Sequence, residues 1–190
     1  MTWIAPYNQT WTAEKYKQGQ KTKFELIDDY LKNPPSRILD IGAGYAGVSQ
    51  LFQEKYNCEI FLLDGDFDKT AKKRRNKFGK ASTMSFYASL KDLRDYYDSQ
   101  GLKYTQIDAN NIDLDENINF DLVYSFLSCG FHYPIGTYAD LIKQHTDNKS
   151  TTIMDIRRKT FKSQGCEYEI IDVLNYPRIR KYSMAHIKLQ

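Results

Sequence analysis

The feature of this sequence that most constrains its fold is an apolar stretch at residues 37–41, followed by glycines at Gly42, Gly44 and Gly47. The stretch predicts a buried strand, and residues 48–56 carry apolar side chains at helical spacing. A strand that enters a helix through a glycine turn presents backbone N–H groups and the positive helix end to a polar ligand. The segment therefore predicts a nucleotide-type binding site.

The glycine spacing leaves two classes of nucleotide ligand open. Gly42, Gly44 and Gly47 satisfy the dinucleotide fingerprint, and Asp64 lies near the distance expected for an acid that binds ribose. Spacing alone does not reject NAD or FAD. Against them, Asp40 occupies a strand position that is normally apolar in dinucleotide enzymes, and 190 residues leave little room for a separate substrate domain.

Polar residues also follow the next predicted strands. Asp64 closes the apolar stretch at residues 58–64, and Asp108 follows a strand predicted at residues 104–107. A fourth strand is predicted at residues 120–126, which read Phe-Asp-Leu-Val-Tyr-Ser-Phe. Strands that alternate with helices predict a mainly parallel sheet with both faces covered.

The motifs in this order resemble those of the class I S-adenosylmethionine-dependent methyltransferases, over roughly residues 37–190. Asp40-x-Gly42-x-Gly44 matches their first motif, and the acids Asp64 and Asp108 match the second and third. The resemblance implies an α/β fold: a single Rossmann-like domain with helices on both faces. Its mainly parallel seven-stranded sheet would end in a C-terminal antiparallel hairpin.

The resemblance implies S-adenosyl-L-methionine as the cofactor and assigns residues to its methionyl part. The backbone of Gly42, Ala43 and Gly44 would approach this part of the cofactor. Asp40 would orient the turn and attract the cofactor's ammonium group.

The nucleoside part is assigned by the same resemblance. Asp64, which Gly65 follows, would accept hydrogen bonds from the ribose hydroxyls, because a carboxylate has two acceptor oxygens. Asp108 would accept from the adenine amino group, and Ala109 would offer its backbone N–H to the ring. Ser125, in the fourth strand, is also assigned to the cofactor site.

Substrate chemistry is expected in the stretch after the fourth strand, at residues 125–134, because ligands bind at the carboxyl ends of strands in this kind of sheet. His132 and Tyr133 are the candidate catalytic residues. Neutral imidazole accepts a proton near neutral pH, so His132 is a candidate general base, with a binding role as the alternative. No Asp/Asn-Pro-Pro-aromatic motif of amino-methylating DNA enzymes is present.

Several further elements follow from spacing and helix-ending residues. A first helix ends before Pro34-Pro35, and a helix containing Leu93 and Tyr97 ends at Gly101. Residues 168–173 and 183–189 predict the final hairpin. The last of these segments alternates in polarity, which predicts a half-exposed strand.

Two segments outside the motifs have two interpretations each. Residues 1–36 contain Trp3, Tyr7, Trp11 and Tyr16, and they predict either a lid over the cofactor or an arm packed on the sheet. The basic run at residues 69–80 would bind phosphates or form a solvated face, and the second interpretation is favoured because the net charge is only +3.

Composition indicates a protein without a membrane segment or metal site. No run of about 18 apolar residues is present, and the N-terminal residues lack the pattern of a signal peptide. Cys58, Cys129 and Cys166 are widely spaced and have no metal-ligand pattern, which fits a reducing cytoplasm.

The sequence therefore predicts a cytoplasmic methyltransferase acting on a hydroxyl or amine of a small molecule such as a sugar. One alternative is an RNA-modifying enzyme, because Phe131-His132-Tyr133 distantly resembles the "F-x-x-H-Y" of messenger-RNA cap guanine-N7 enzymes, at a different spacing. The other is a cofactor-binding adaptor without catalysis. The oligomeric state is left open.

Overall fold

The computed structural model describes residues 12–66, 88–174 and 182–190. A seven-stranded sheet forms the centre of the described part of the chain, with strand order β3-β2-β1-β4-β6-β8-β7. Five strands run parallel: β1 (Arg37–Ile41), β2 (Glu59–Asp64), β3 (Thr105–Asp108), β4 (Leu122–Ser125) and β6 (Thr151–Arg157). The predicted mainly parallel Rossmann-like sheet is confirmed.

The predicted antiparallel hairpin is also present, but its last strand is not half-exposed. β7 (Tyr168–Leu174) and β8 (Tyr182–Leu189) pair antiparallel, and β8 lies between β6 and β7. Met184 is buried on one face of β8, while Ala185 and Ile187 are buried in the core cluster on the other. The alternating prediction describes β7 better, because β7 is the exposed edge strand.

Helices cover both faces of the sheet. Three helices pack on one face: α1 (Ala13–Tyr30), α2 (Gly47–Tyr56) and α3 (Leu90–Ser99). On the other face, α4 (Ala139–Gln144) contributes Ile142 to a second apolar cluster. Thr12 caps the start of α1, because its hydroxyl accepts from the Lys15 N–H, and the helix ends at Tyr30 before the proline pair.

The stretch after β4 contains a further strand that the sequence did not indicate. β5 (Ser128–Tyr133) lies outside the seven-stranded sheet and alongside β6. Leu127, with φ of 52°, is in the left-handed region where the chain turns from β4 into β5. This turn brings the start of β5 back over the glycine turn after β1.

In the described part of the chain, none of the helices is both long enough and apolar enough to cross a lipid bilayer.

Candidate functional site

The glycine turn connects β1 to α2 at the carboxyl edge of the sheet. Gly42 and Gly44 have positive φ values of 74° and 52°, which favour glycine. The Gly42 N–H donates to the Leu63 carbonyl at 2.7 Å, so the turn is fixed to β2. A Cβ on Gly42 would lie 1.9 Å from Ser128 Oγ, whereas a Cβ on Gly44 would meet nothing within 4 Å. β5 therefore covers the first glycine, and the second faces open space.

Asp64 ends β2 and is bonded to the glycine turn. Its Oδ2 accepts from the Gly44 N–H at 2.7 Å, and its Oδ1 accepts from the Gly65 N–H at 2.8 Å. Burial raises the pKa of this carboxyl to about 6, and the two backbone donors act in the opposite direction. Gly44 and Asp64, which are 20 residues apart in sequence, are thus brought together.

Asp40 lies under the turn and is 5% exposed. Its Oδ2 accepts from the Ser49 hydroxyl of α2 at 2.8 Å, and Ser49 is in turn hydrogen-bonded to the Tyr124 hydroxyl of β4. Burial raises the pKa of Asp40 to about 7, while the bonds from Ser49 and Tyr124 and the charge of Lys23 lower it. Asp40 therefore links three elements below the turn.

Asp108 and Ala109 lie beside Asp64. Asp108 is in register with Asp64 across the β2–β3 pair, and its Oδ1 accepts from the Asn110 N–H at 2.9 Å. The Ala109 N–H donates to the Asp64 carbonyl at 2.8 Å, so it is already used within the protein. The adenine contacts assigned to these two residues stay predictions.

Ser125 ties β1 to β5. Its hydroxyl donates to the Ile41 carbonyl and accepts from the Cys129 N–H, each at 2.8 Å. The side chain is fully buried. It therefore holds the backbone that shapes the site, and its assigned contact with a cofactor stays a prediction.

Both candidate catalytic residues are on β5 and not in a loop. The Tyr133 hydroxyl lies 2.6 Å from Ser128 Oγ, which packs against Gly42. Burial raises the pKa of Tyr133 well above its ordinary value, so its hydroxyl stays protonated at neutral pH. The ring of His132 lies 4.8 Å from that of Phe131, edge to face.

A buried ion pair near the turn was missed by sequence reasoning. Lys23 of α1 and Asp155 of β6 are 5% and 0% exposed, and their charged atoms are 3.9 Å apart. Lys23 Nζ also lies 4.4 Å from the centre of the Phe126 ring, a cation–π contact. The available signals were an acid in a predicted strand and a lysine four residues before the apolar Ile27, hence on the same helix face.

Some predicted features lie outside the described residues. These are Trp3, Tyr7 and Trp11 of the aromatic segment and the whole basic run at residues 69–80. The remaining aromatic residue, Tyr16, contacts Tyr45 next to the glycine turn, with ring centres 6.1 Å apart. Within residues 12–66, 88–174 and 182–190, no cluster of three His, Cys, Asp or Glu residues could hold a metal ion.

Comparison with known proteins gives matches in structure. No protein-family model and no curated protein sequence matches this chain. The chain is similar in structure to the PH0226 protein of Pyrococcus horikoshii OT3, at 15% identity and a TM-score of 0.58 over 97% of this chain and 95% of that one. It is also similar to a ribosomal protein L11 methylase of Lactobacillus delbrueckii subsp. bulgaricus, at 11% identity and a TM-score of 0.55, covering 97% and 92% of the two chains.

A third similar structure contains a ligand. The plantazolicin methyltransferase BpumL, solved with S-adenosylhomocysteine (SAH) and a monoazolic desmethylPZN analog, matches at 16% identity with a TM-score of 0.54. The match covers 79% of this chain and 52% of BpumL, about half of that enzyme. These likenesses define the class of fold: the chain has the Rossmann-like fold of class I methyltransferases.

Proposed function

We propose that this protein is an S-adenosyl-L-methionine-dependent methyltransferase that acts on a hydroxyl or amine of a small molecule, such as a sugar. The observation that carries the proposal is the 2.7 Å hydrogen bond from the Gly44 N–H to the Asp64 carboxylate. This bond joins the first two cofactor motifs at the edge of the sheet where such folds bind ligands. The SAH bound to BpumL, which has the same type of fold, supports the choice of cofactor.

The surroundings of the turn support the assigned contacts with the cofactor. Gly44 faces open space, so its backbone is accessible to the methionyl part. Each oxygen of Asp64 accepts one backbone N–H and keeps a second acceptor position, which suits two ribose hydroxyls. Asp40 would attract the ammonium group from below the turn, and Asp108 lies beside Asp64 on the adenine side.

The proposed chemistry needs little from the protein beyond alignment and acceptance of a proton. When bound, the cofactor supplies a methyl group whose bond to the sulfonium sulfur breaks, with the electron pair staying on sulfur. The acceptor oxygen or nitrogen forms the new bond to carbon and loses a proton, which we assign to His132. Tyr133, held by Ser128 beside Gly42, would orient the acceptor through its hydroxyl.

Calorimetric titration with S-adenosylmethionine and SAH, with NADH and FAD as controls, tests the cofactor. We expect micromolar binding of the two adenosyl ligands only, and a loss of about tenfold or more in Asp64→Ala, which corresponds to about 1.4 kcal/mol. Asp113→Ala, an exposed acid, is the matched control. Binding of NADH or FAD instead would show that the glycine turn binds a dinucleotide.

Turnover separates the enzyme from an adaptor. With SAH release as the readout over a panel of hydroxyl and amine acceptors, we expect turnover by the native protein and a fall of about 100-fold in kcat for His132→Ala. Intact affinity for S-adenosylmethionine without turnover on any acceptor would favour the adaptor. RNA binding that weakens steeply with salt would favour the RNA enzyme.

A further inference from the structure

Two buried polar atoms on β6 have no hydrogen-bond partner among the residues that the structure describes. They are Asp155 Oδ1 and Arg157 Nε. Because these residues are two apart on one strand, their side chains project from the same face of the sheet. Buried polar atoms are almost always paired in folded proteins, so each of these two atoms is available to bond a molecule from outside the chain.

Asp155 offers an acceptor in a fixed position. Its Oδ2 accepts from the Leu127 N–H at 3.1 Å, and Lys23 Nζ is 3.9 Å from the same oxygen, beyond hydrogen-bond distance. The residue is fully buried. Its second oxygen, Oδ1, is therefore held in place without a donor.

Arg157 offers donors on the same face. Its guanidinium carbon lies 4.2 Å from the centre of the Phe131 ring, so the aromatic face supports the side chain. None of the ion pairs between described residues includes Arg157. Burial lowers its pKa. A supported guanidinium with no ion-pair partner among the described residues suits a carboxylate or phosphate, whose geometry matches its planar donors.

These two residues adjoin the proposed methyl-transfer site through β5. A Cβ on Gly130 would lie 3.0 Å from the Asp155 carbonyl oxygen, so the two strands are in close contact there. Phe131, which supports Arg157, stacks edge to face against His132. The start of β5, Ser128, packs on the glycine turn. The unpaired atoms are thus on the strand next to the candidate base.

We propose that Asp155 and Arg157 recognise the methyl acceptor, and that this acceptor carries a carboxylate or phosphate group in addition to its hydroxyl or amine. Asp155 Oδ1 accepts a hydrogen bond from the hydroxyl or amine, and Arg157 binds the anionic group. The Cα atoms of the two residues are about 7 Å apart along the strand, so one small acceptor molecule can reach both side chains. This inference rests on the proposed function and narrows its substrate class.

Nuclear magnetic resonance of the arginine Nε–H groups tests the anion site directly. The protein is saturated with SAH in a chloride buffer and titrated with inorganic phosphate in one arm and with butyrate in the other. We expect a saturable shift of the Arg157 resonance, at a Kd of about 1–10 mM, with at least one anion. The arm that gives the tighter binding distinguishes phosphate from carboxylate. Arg157→Gln assigns the resonance, and Arg158→Gln, its exposed neighbour, is the matched control.

Two results of this titration would overturn the proposal. One is an Arg157 resonance that shifts with neither anion. The other is a resonance that shifts on addition of SAH and then no longer responds to anions, which would assign Arg157 to the cofactor. Failure of the proposed function is a separate result, because it is the absence of SAH binding in the preceding titration.

The role of Asp155 is tested by comparing 4-hydroxybutyrate with butyrate. Both have the same carboxylate, and only the first has a hydroxyl for Asp155 Oδ1. We expect the hydroxylated compound to bind about threefold more tightly to the native protein or better, and equally to a Lys23→Met/Asp155→Leu variant, which removes both charges of the buried pair. Equal affinity of the two compounds for the native protein would overturn the role of Asp155.

Discussion

Gly42 and Gly44 have the same backbone requirement but different surroundings. Both have positive φ, which costs about 1–2 kcal/mol for an L-residue with a side chain. Only Gly42 has a neighbour, Ser128, in the space that a Cβ would occupy. A side chain at Gly42 should therefore disturb mainly the stability of the fold, and a side chain at Gly44 mainly the access of a ligand.

Substitution by alanine at each glycine tests this separation. Gly42→Ala is expected to lower the free energy of unfolding by about 2–5 kcal/mol, from backbone strain together with the clash with Ser128. Gly44→Ala should cost about 1 kcal/mol in stability, yet weaken SAH binding strongly, because its Cβ enters the open side of the turn. Urea unfolding and calorimetry measure the two effects. Equal losses of stability would contradict this account.

The three acids near the glycine turn could be predicted from the sequence, but their hydrogen-bond partners could not. The sequence predicts Asp40, Asp64 and Asp108 as site residues because Asp40 lies within a predicted strand just before the glycines, while Asp64 and Asp108 close or follow apolar stretches. The partners of these acids were not found, since the Ser49 hydroxyl and the Gly44 N–H reach them only after the strands are aligned. Such contacts depend on register between distant segments, which local spacing does not contain.

At the scale of elements, α1 is fixed to the sheet by polar contacts as well as apolar ones. Lys23 faces Asp155 of β6, and the Tyr30 hydroxyl lies 2.9 Å from His186 Nδ1 of β8. Ile27 is fully buried between these two contacts along the helix. The described part of the N-terminal segment is thus packed on the sheet, and the lid function of residues 1–36 stays a prediction.

The Lys23–Asp155 pair predicts a non-additive effect of substitution. Lys23→Met and Asp155→Leu alone should each lower the free energy of unfolding by about 3–5 kcal/mol, because each leaves one buried charge without its partner. The double variant should be about as stable as the native protein, or more stable by up to about 4 kcal/mol. Urea unfolding of the four proteins gives the coupling energy. Additive losses would show that the charges do not interact.

Strands with a continuous apolar run could be predicted from the sequence, and a strand without one could not. β1, β2 and β4 are short apolar runs, and the sequence predicts each of them as a buried strand. β5 was not predicted, because its sequence Ser-Cys-Gly-Phe-His-Tyr lacks a continuous apolar run. Its position depends on the Ser125 hydroxyl and on the Asp155 carboxylate, both of which bind backbone N–H groups near its start.

For the whole molecule, buried carboxyls predict how stability depends on pH. Burial raises the pKa of Asp40 and Asp155 to about 7 and that of Asp64 to about 6, from a usual value of 3.8. At pH values between 3.8 and about 7, the folded state therefore binds more protons than the unfolded state. Because proton uptake favours the folded state, the free energy of unfolding falls as pH rises through this window.

Urea unfolding between about pH 5 and pH 8 measures this dependence. We expect the free energy of unfolding to fall by up to about 7 kcal/mol over that interval, and by less in the Lys23→Met/Asp155→Leu variant, which lacks one of the three carboxyls. An increase in the free energy of unfolding from pH 5 to pH 8 would contradict the conclusion that burial raises the pKa values of these three carboxyls.

The ion pair between Lys23 and Asp155 also has an evolutionary consequence. A change at either position alone leaves a charge inside the protein, so the two positions are free to change only together. Among descendants of a common ancestor, we expect both to be charged or both to be apolar, although one lies in the first helix and the other in β6. If the proposed methyltransferase function holds and Asp155 also selects the acceptor, lineages that lose the pair will have changed their acceptor.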